Sequence, residues 1–208
     1  MDNEEVIHIV GVGSLGSNLA HLLVRMGFET LVLYDFDDVS PNNITNQFYF
    51  HHQIGDHKID SLEHNLKIIN PDITIIKKGK YTDDHLYGIV FLCLDSITER
   101  RRIAELNKNN YQIKLISDLR LGLGEGQCFT AHPKYYGNLL TTMQFDDSES
   151  TTPMNTCGST LRILPTIQII TSIAVNNLIN FLKNDTYHRL ISIDSLKGVT
   201  SKLLKTEI

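Results

Sequence analysis

Short apolar runs alternate with helical patterns along the first 117 residues of the chain. Leu15, Leu19, Leu22 and Leu23 recur at helical spacing after the first run, and a glycine follows them. The strand-like runs are residues 6–10, 30–34, 73–76, 89–94 and 113–117, and the helical patterns are residues 14–26, 58–69 and 97–107. Strands that alternate with helices predict βαβ units, and therefore an α/β fold with a mostly parallel sheet and helices on both faces.

The alternation ends in the last third of the chain. Residues 126–131 have the pattern of a strand, and residues 132–156 form a long polar stretch that predicts a loop. A helix is expected at about residues 161–182, followed by a closing hairpin at residues 189–193 and 199–203. We expect one domain over residues 1–208: a Rossmann-like core at 1–131, a crossover loop at 132–157, and the long helix with antiparallel strands at 158–208.

The predicted long helix has no charged residue between Ile163 and Leu182, so a membrane span has to be considered. Gln168, Ser172, Asn176 and Asn180 nevertheless recur every four residues and form a polar stripe opposite an apolar one. This pattern favours an amphipathic helix of a soluble, cytoplasmic protein. The acidic start of the chain does not resemble a secretory signal.

Composition excludes several classes of protein. Apolar residues make up 41% of the chain and charged residues 21%, which is ordinary for a globular protein. The net charge of −5 gives no general affinity for nucleic acid. Three widely spaced cysteines without a Cys-x-x-Cys pair argue against a disulfide framework or a four-cysteine zinc site.

A glycine motif between the first strand and the first helix predicts a nucleotide site. Gly11, Gly13 and Gly16 form G-x-G-x-x-G, with Ser14 inside it. Such glycines permit a tight turn and a close approach of phosphate to the helix N-terminus. Asp35 ends the second strand, where its carboxylate can accept hydrogen bonds from a ribose. The motif alone does not distinguish NAD from ATP.

The segment after the second strand resembles a known family. Residues 35–47 follow the D-x-D-x-V-x-x-S-N-L-x-R-Q segment of ThiF, MoeB and the ubiquitin-activating enzymes without a gap. The matching residues are Asp35, Asp37, Val39, Asn43 and Gln47. Further matches are Gly55 and Lys58 before a helix that ends in Asn70-Pro71, Asp95 followed by Arg100, and Arg120 with Glu125-Gly126-Gln127.

The resemblance implies a Rossmann-like adenylyltransferase that uses ATP and Mg²⁺. Enzymes of this family activate the C-terminal carboxylate of a ubiquitin-like or sulfur-carrier protein. Lys58 would then place a positive charge on the phosphates, and Asp95 would hold the metal ion. Asn43 and Gln47 would position phosphate or metal-bound water. The glycine motif, Asp35 and Asp37 complete the expected nucleotide site.

Simpler interpretations stay open for several of these residues. Lys58 also fits a solvated residue at the start of a helix, although a cation there opposes the helix dipole. Asp95 also fits an N-cap of the following helix. We interpret Asp38 as a simple loop acid. The spacing of His51, His52 and His57 gives no convincing metal triad, so we interpret them as loop residues.

The chain departs from the family pattern at two arginines. Asn46 stands where the family has the arginine before its glutamine. Family members also usually have an N-terminal helical extension whose arginine reaches the ATP of the neighbouring subunit, and the 208 residues have no counterpart of it. A partner could supply these charges, or Arg25, Arg100 or Arg120 could replace them.

Cys157 follows the crossover loop, where related enzymes often have a sulfur-transfer or thioester cysteine. A catalytic thiolate and a half-buried helix-cap cysteine fit this position equally well. Cys93 and Cys128 lie in predicted strands, and we expect both to be inert core residues.

Three functions follow from these observations. The first is an adenylating enzyme, the second is a catalytically weak ATP-binding subunit of a heteromeric complex, and the third is an NAD-dependent oxidoreductase, which Asn43, Gln47, Lys58 and Asp95 disfavour. We expect no nucleic-acid or membrane partner. The polar stripe of the long helix and the missing arginines favour a homo- or heterodimer over a monomer.

Overall fold

A single eight-stranded sheet forms the centre of the structure. The computed structural model describes residues 5–122, 124–149, 164–195, 197 and 200–206. The strands are β1 (Val6–Val10), β2 (Thr30–Tyr34), β3 (Thr74–Lys78), β4 (Gly88–Leu92), β5 (Ile113–Leu121), β6 (Glu125–Ala131), β7 (Tyr187–Asp194) and β8 (Thr200–Thr206). They lie in the order β3-β2-β1-β4-β5-β6-β7-β8. The first five strands are parallel, and the pairings from β5 to β8 are antiparallel.

Helices cover both faces of the sheet. They are α1 (Ser14–Arg25), α2 (Lys58–Ile69), α3 (Ile97–Leu106), α4 (Tyr136–Thr141) and α5 (Leu164–Asn184). Helices α1, α2 and α5 pack together on one face, and α3 and α4 pack on the other. The predicted α/β fold, with its antiparallel C-terminal strands and long helix, is therefore confirmed.

The two faces follow from the alternation of side chains along each strand. In β1, Ile7 and Ile9 belong to the core beneath α1, α2 and α5, whereas Val10 belongs to the core beneath α3 and α4. Both sides of a central parallel strand are buried, so the strand is mostly apolar, and His8 is the only polar residue of β1. Burial on both faces thus explains why the first strands were recognisable from sequence.

Helix α5 covers the region where the parallel and antiparallel parts of the sheet meet. Ile170, Ala174 and Leu178 are buried in the core, while Ser172 and Asn176 of the predicted polar stripe are exposed. None of the helices in the described part of the chain has the length and apolar character needed to span a membrane.

The predicted crossover loop contains a helix that was missed. Helix α4 occupies six residues of it and buries Tyr136 and Leu139 against the sheet, with Met143 one turn further on. These residues recur at i, i+3 and i+7, which is a helical spacing. The short length of the helix and Gly137 in its middle hid the pattern among polar neighbours.

Candidate nucleotide-binding site

Three neighbouring strands bring the predicted site residues to one edge of the sheet. Strand β1 lies between β2 and β4, and all three run parallel. The glycine motif follows β1, Asp35 follows β2, and Asp95 lies three residues beyond β4. In open α/β sheets the carboxyl edge of the strands is the usual ligand crevice. The fold therefore places these three features side by side there.

The three glycines of the motif have different structural reasons. Gly11 has φ +91°, and a Cβ atom on it would lie 2.9 Å from the carbonyl oxygen of Cys93. A Cβ atom on Gly16 would lie 1.9 Å from the carbonyl oxygen of Gly11. A Cβ atom on Gly13, in contrast, would meet no atom within 4 Å in the described part of the chain. Gly11 and Gly16 are thus required by the protein's own packing, and Gly13 faces open space.

Helix α1 begins at this open position without a side-chain cap. Gly13 is the N-cap residue, and the described residues provide neither a capping side chain nor an acidic residue in the first turn. The first N–H groups of a helix lack intrahelical partners, and the helix dipole makes that end partly positive. The N-terminus of α1 is consequently available to an anion.

Asp35 fastens the end of β2 to the glycine loop. Its Oδ2 accepts a hydrogen bond from the backbone N–H of Val12 at 2.8 Å, and its Oδ1 accepts one from the N–H of Asp37 at 2.9 Å. Each carboxylate oxygen has more than one lone pair. Asp35 can therefore hold the loop and still accept a hydrogen bond from a ligand.

Asp37 and Lys58 connect the end of β2 to the start of α2. The Lys58 Nζ atom lies 2.8 Å from Asp37 Oδ2, and the Lys58 N–H donates to the Asp37 carbonyl at 3.0 Å. The Lys58 side chain is only 8% exposed. A solvated lysine at a helix start is therefore the wrong interpretation. Asp38, the predicted loop acid, forms an exposed ion pair with His57.

Residues 46–49, in the segment between β2 and α2, are folded onto the first turns of α1. Asn18 Nδ2 donates to the carbonyl of Asn46 at 3.0 Å, and the N–H of Phe48 donates to Ser17 Oγ at 3.0 Å. The hydroxyl of buried Tyr49 donates to the carbonyl of Val12 in the glycine loop at 2.7 Å. These contacts place the residues around Gln47 beside the glycine loop.

Two amide oxygens in this segment are buried without a described partner. Gln47 Oε1 and Asn46 Oδ1 have no hydrogen-bond partner among the residues that the structure describes. Burying an acceptor without a donor costs about 1–3 kcal/mol. Asn43 differs, because its Oδ1 accepts a hydrogen bond from the Ser40 N–H at 2.8 Å and caps a short 3₁₀ turn at Pro41–Thr45.

Asp95 is exposed at the carboxyl edge and does not cap α3. The N-cap is Ser96, whose hydroxyl accepts a hydrogen bond from the Glu99 N–H, so the capping interpretation of Asp95 is wrong. Asp147 supplies a second acceptor at this helix end, taking hydrogen bonds from Ser96 Oγ and from the Ile97 N–H. The Asp95 carboxylate is therefore not used for capping.

Asp147 belongs to the segment that follows α4. A hydrogen bond from the Thr98 side chain, together with donors from Ile97 and Ser96, holds the pKa of Asp147 below its usual value. A carboxylate at the positive end of a helix is favoured in its charged form. The contact holds this part of the predicted crossover loop against the residues that directly follow Asp95.

The three arginines considered as replacements all have other partners. Arg100 is buried and binds Asp118 and the carbonyls of Leu92 and Leu94. Arg120 Nε lies 2.6 Å from Asp118 Oδ2. Arg25 donates to His21 and ends α1, on the order of 15 Å from the N-terminus of this helix. In the structure, each of the three is therefore bound to groups other than the glycine loop.

Two of the three cysteines belong to the apolar core. Cys93 and Cys128 are buried, and burial raises the pKa of each thiol to about 12, so neither forms a thiolate readily. Cys157 lies outside the described residues.

His51 and His52 lie in a 3₁₀ turn at His51–Gln53. Within the described ranges, no group of three or more His, Cys, Asp or Glu side chains comes together as a metal site.

Comparison with known proteins identifies the family. The model of the ThiF family matches residues 3–207. The chain belongs to the ThiF family. It is 26% identical over 207 residues to ubiquitin-like modifier-activating enzyme 5 of Xenopus laevis, covering 86% of this chain and 50% of the relative. The Bombyx mori enzyme of the same name is 30% identical over 159 residues, covering 62% and 40%. The chain thus spans about half the length of the curated relatives it matches.

Solved structures support the same fold at low sequence identity. The crystal structure of PaaA gives a TM-score of 0.75 at 18% identity and covers 99% of this chain and 64% of that one. The structure of E. coli MccB with ATP gives a TM-score of 0.76 at 14% identity and covers 97% and 63%. These similarities establish the ThiF-type fold.

Several residues at the ThiF-type site were not recognised from sequence. Tyr49 binds the glycine loop, Asn18 binds the segment that carries Asn46, and Asp147 binds the start of α3. Asn18 lies one turn after Ser14 on the same face of α1. A polar side chain at this position, close to the glycine loop, could have been recognised from sequence as a site residue. No local pattern indicated Asp147, because its contact spans 50 residues.

The ThiF-family loop predicts a difference in stability between two glycine substitutions. Gly16→Ala places a methyl group against the Gly11 carbonyl and should lower the free energy of unfolding by about 1–3 kcal/mol or more. Gly13→Ala meets open space and should change it by no more than about 0.5 kcal/mol. Urea denaturation of both variants measures this. Equal stability of the two would contradict the described packing of the loop.

Proposed function

We propose that this domain binds ATP and Mg²⁺ and adenylates the C-terminal carboxylate of a small ubiquitin-like or sulfur-carrier protein. The observation that carries the proposal is the open, uncapped N-terminus of α1 at Gly13, which lies between Asp35 and Asp95. Membership of the ThiF family and the names of the curated relatives support the class of substrate.

The described residues fit a nucleoside triphosphate. The N–H groups at the start of α1 bind phosphate oxygens, and Gly13 leaves them space. Asp35 accepts hydrogen bonds from the ribose. Lys58 retains donors beyond its bond to Asp37 and directs positive charge at the phosphates. The buried Gln47 Oε1 gains a donor from a ligand hydroxyl or an ordered water.

Asp95 fits a Mg²⁺ ligand. Mg²⁺ in nucleotide sites is commonly bound by one or two carboxylates together with phosphate oxygens and water. Asp95 offers an exposed carboxylate that is not used in capping. When bound, the ion neutralises charge that develops on the phosphate oxygens. Asp37 is 53% exposed and is bonded to Lys58. Through this bond it can help to position the Lys58 ammonium group beside the metal site.

The reaction follows from this placement of charge. A carboxylate oxygen of the carrier attacks the α-phosphorus of ATP, the bond to the β-phosphate bridging oxygen breaks, and pyrophosphate leaves with the bonding electrons. The product is an acyl adenylate. Lys58 and the α1 N–H groups stabilise the negative charge on the phosphates. The thiolate of Cys157, or the sulfur atom of a separate donor, then attacks the acyl carbon of the adenylate, and AMP leaves as the new carbon–sulfur bond forms.

A specific observation favours a second candidate, an ATP-binding subunit whose partner completes catalysis. Asn46 stands at the position of the family arginine, and its side chain is buried. Arg100 and Arg120 are bound to Asp118 instead of facing the glycine loop. Exchange of pyrophosphate into ATP, with a carrier and without a partner subunit, distinguishes the two candidates. A clear preference for NAD over ATP in thermal shift would contradict both.

Gly13→Val should abolish ATP binding while the domain stays folded. The side chain enters the space that the phosphates need, and its Cβ atom would meet no described atom within 4 Å. Asp35→Ala should weaken ATP binding by about 1–3 kcal/mol through lost hydrogen bonds. Calorimetry measures both, with Asp38→Ala as a control at an exposed ion pair. Unchanged ATP affinity in folded Gly13→Val and Asp35→Ala would show that the site is wrongly placed.

Asp95→Ala should abolish formation of the adenylate and leave much of the ATP affinity in chelator intact. The metal ion acts most strongly where charge develops in the reaction. Pyrophosphate exchange reports the first effect, and calorimetry in chelator reports the second. Asp38→Ala, at the exposed contact with His57, is the control and should leave exchange unchanged. Full exchange by Asp95→Ala, or by the unaltered protein in chelator, would remove Asp95 from the mechanism.

The domain should form a dimer, either with itself or with a related subunit. Ser172, Asn176 and Asn180 form an exposed face of α5, next to the partly buried Ile169 and Ile173. A two-fold axis can pair such a face with its copy. Light scattering of the purified protein, alone and with a co-purified partner, measures the assembly. A monomer that catalyses exchange would show that its own residues complete the site.

A further inference from the structure

Arg100 holds the chain segment that carries Asp95. Its guanidinium donates a hydrogen bond to the carbonyl of Leu92, the last residue of β4, at a distance of 3.1 Å. It also donates one to the carbonyl of Leu94, which directly precedes Asp95. The fixed fork of a guanidinium binds two acceptors at a defined separation. The backbone on both sides of Cys93 is therefore held by one rigid group.

The other side of this segment is held by the glycine loop. The Cys93 N–H donates to the carbonyl of Val10 at 2.8 Å, and the Cys93 carbonyl lies against Gly11. The segment before Asp95 is thus fixed between the loop and the Arg100 guanidinium. Helix α3, which begins directly after it, carries Arg100 itself.

A buried carboxylate fixes the guanidinium. Asp118 is fully buried on β5, beside Leu92 in the register of the sheet, and accepts hydrogen bonds from Arg100 on one oxygen and Arg120 on the other. Arg120 continues to Thr142, where it donates to the carbonyl at 2.8 Å and to the hydroxyl at 2.9 Å. Transfer of charged groups from water into the protein interior is costly. Well-packed hydrophobic residues in place of a buried ion pair often give a protein that is at least as stable. Stability alone is therefore a weak reason for this network.

We infer that Arg100 is a positioning residue for Asp95, which it holds toward the glycine loop through the carbonyls of Leu92 and Leu94, while Asp118 fixes Arg100. The inference rests on the proposed role of Asp95 in binding Mg²⁺ with ATP. Groups that orient a metal ligand typically alter metal affinity about 10–100-fold when they are changed. The consequence is a specific loss of the metal-dependent part of ATP binding.

The test compares the ATP dissociation constant in chelator with that in saturating Mg²⁺, measured by calorimetry. Arg100→Lys keeps the charge and loses the two-pronged grip on the carbonyls. It should reduce the Mg²⁺ enhancement of ATP affinity about tenfold and leave the affinity in chelator within about twofold. Arg102→Lys is the matched control, since Arg102 lies on the same helix in surface ion pairs, and should behave like the unaltered protein.

A double-mutant cycle separates positioning from general structure. In an Asp95→Asn background, Arg100→Lys should cause no further loss of the Mg²⁺ enhancement, because both changes act on one group. Asp118→Asn keeps the side-chain volume and one acceptor oxygen. It should also reduce the Mg²⁺ enhancement of ATP affinity, but by less than Arg100→Lys does. It replaces Arg100→Lys if that variant does not fold.

The outcomes distinguish the inference from the proposed function. Equal weakening of ATP binding with and without Mg²⁺, or an unchanged enhancement in Arg100→Lys, would overturn the role of Arg100 and leave the proposed function intact. If Arg100→Lys has the same effect with and without Asp95→Asn, the role is also overturned. An unaltered protein that binds no ATP under either condition would overturn the proposed function itself.

Discussion

The close crossing of the backbone at Gly11 and Gly16 sets the position of the groups at the carboxyl edge of the sheet. Helix α1 starts close enough to β1 that a Cβ atom on Gly16 would overlap the Gly11 carbonyl. Gly11 in turn lies against the carbonyl of Cys93, so the chain after β4 is packed on the same turn. Asp35 adds a hydrogen bond to Val12 from the other side. One tight turn therefore aligns the ends of β2, β1 and β4.

The hydrogen bonds around this turn explain why the long irregular segment after β2 is ordered. Tyr49 donates to the carbonyl of Val12, and Ser17 accepts from Phe48, so residues 46–49 are bound to the loop and to α1. At its two ends, the segment pairs with itself: the Val39 N–H donates to the Asp56 carbonyl at 2.9 Å. The Lys58 and Asp37 pair then closes it beside Asp35. A segment without regular strands is thus held by hydrogen bonds to the glycine loop, to α1 and between its own two ends.

How far the sequence predicts this structure depends on the range of each interaction. The strands and four of the helices follow local periodicity, and the glycine motif specified its own turn. Helix α4 was missed because six residues with Gly137 in the middle give a weak pattern. Arg100 and Arg120 stayed open as replacements for the family arginine because their shared buried partner, Asp118, is 18 residues from Arg100 and looks like part of an ordinary strand. The family resemblance predicted the candidate site, and long-range pairing decides the orientation of its side chains.

The distribution of positive charge separates binding of nucleotide from its reaction. The start of a helix such as α1 carries about half a unit charge, and its free N–H groups can bind phosphate without any arginine. Lys58 adds one charge that it shares with Asp37. Departure of pyrophosphate requires more, because charge builds on oxygens that were already negative. Arg100 and Arg120 are bound to Asp118 and stabilise the protein's own backbone. Under the proposed function, a site of this kind would hold ATP by itself, and the rate of adenylation would depend on further cations, supplied by a metal ion at Asp95 or by a partner subunit.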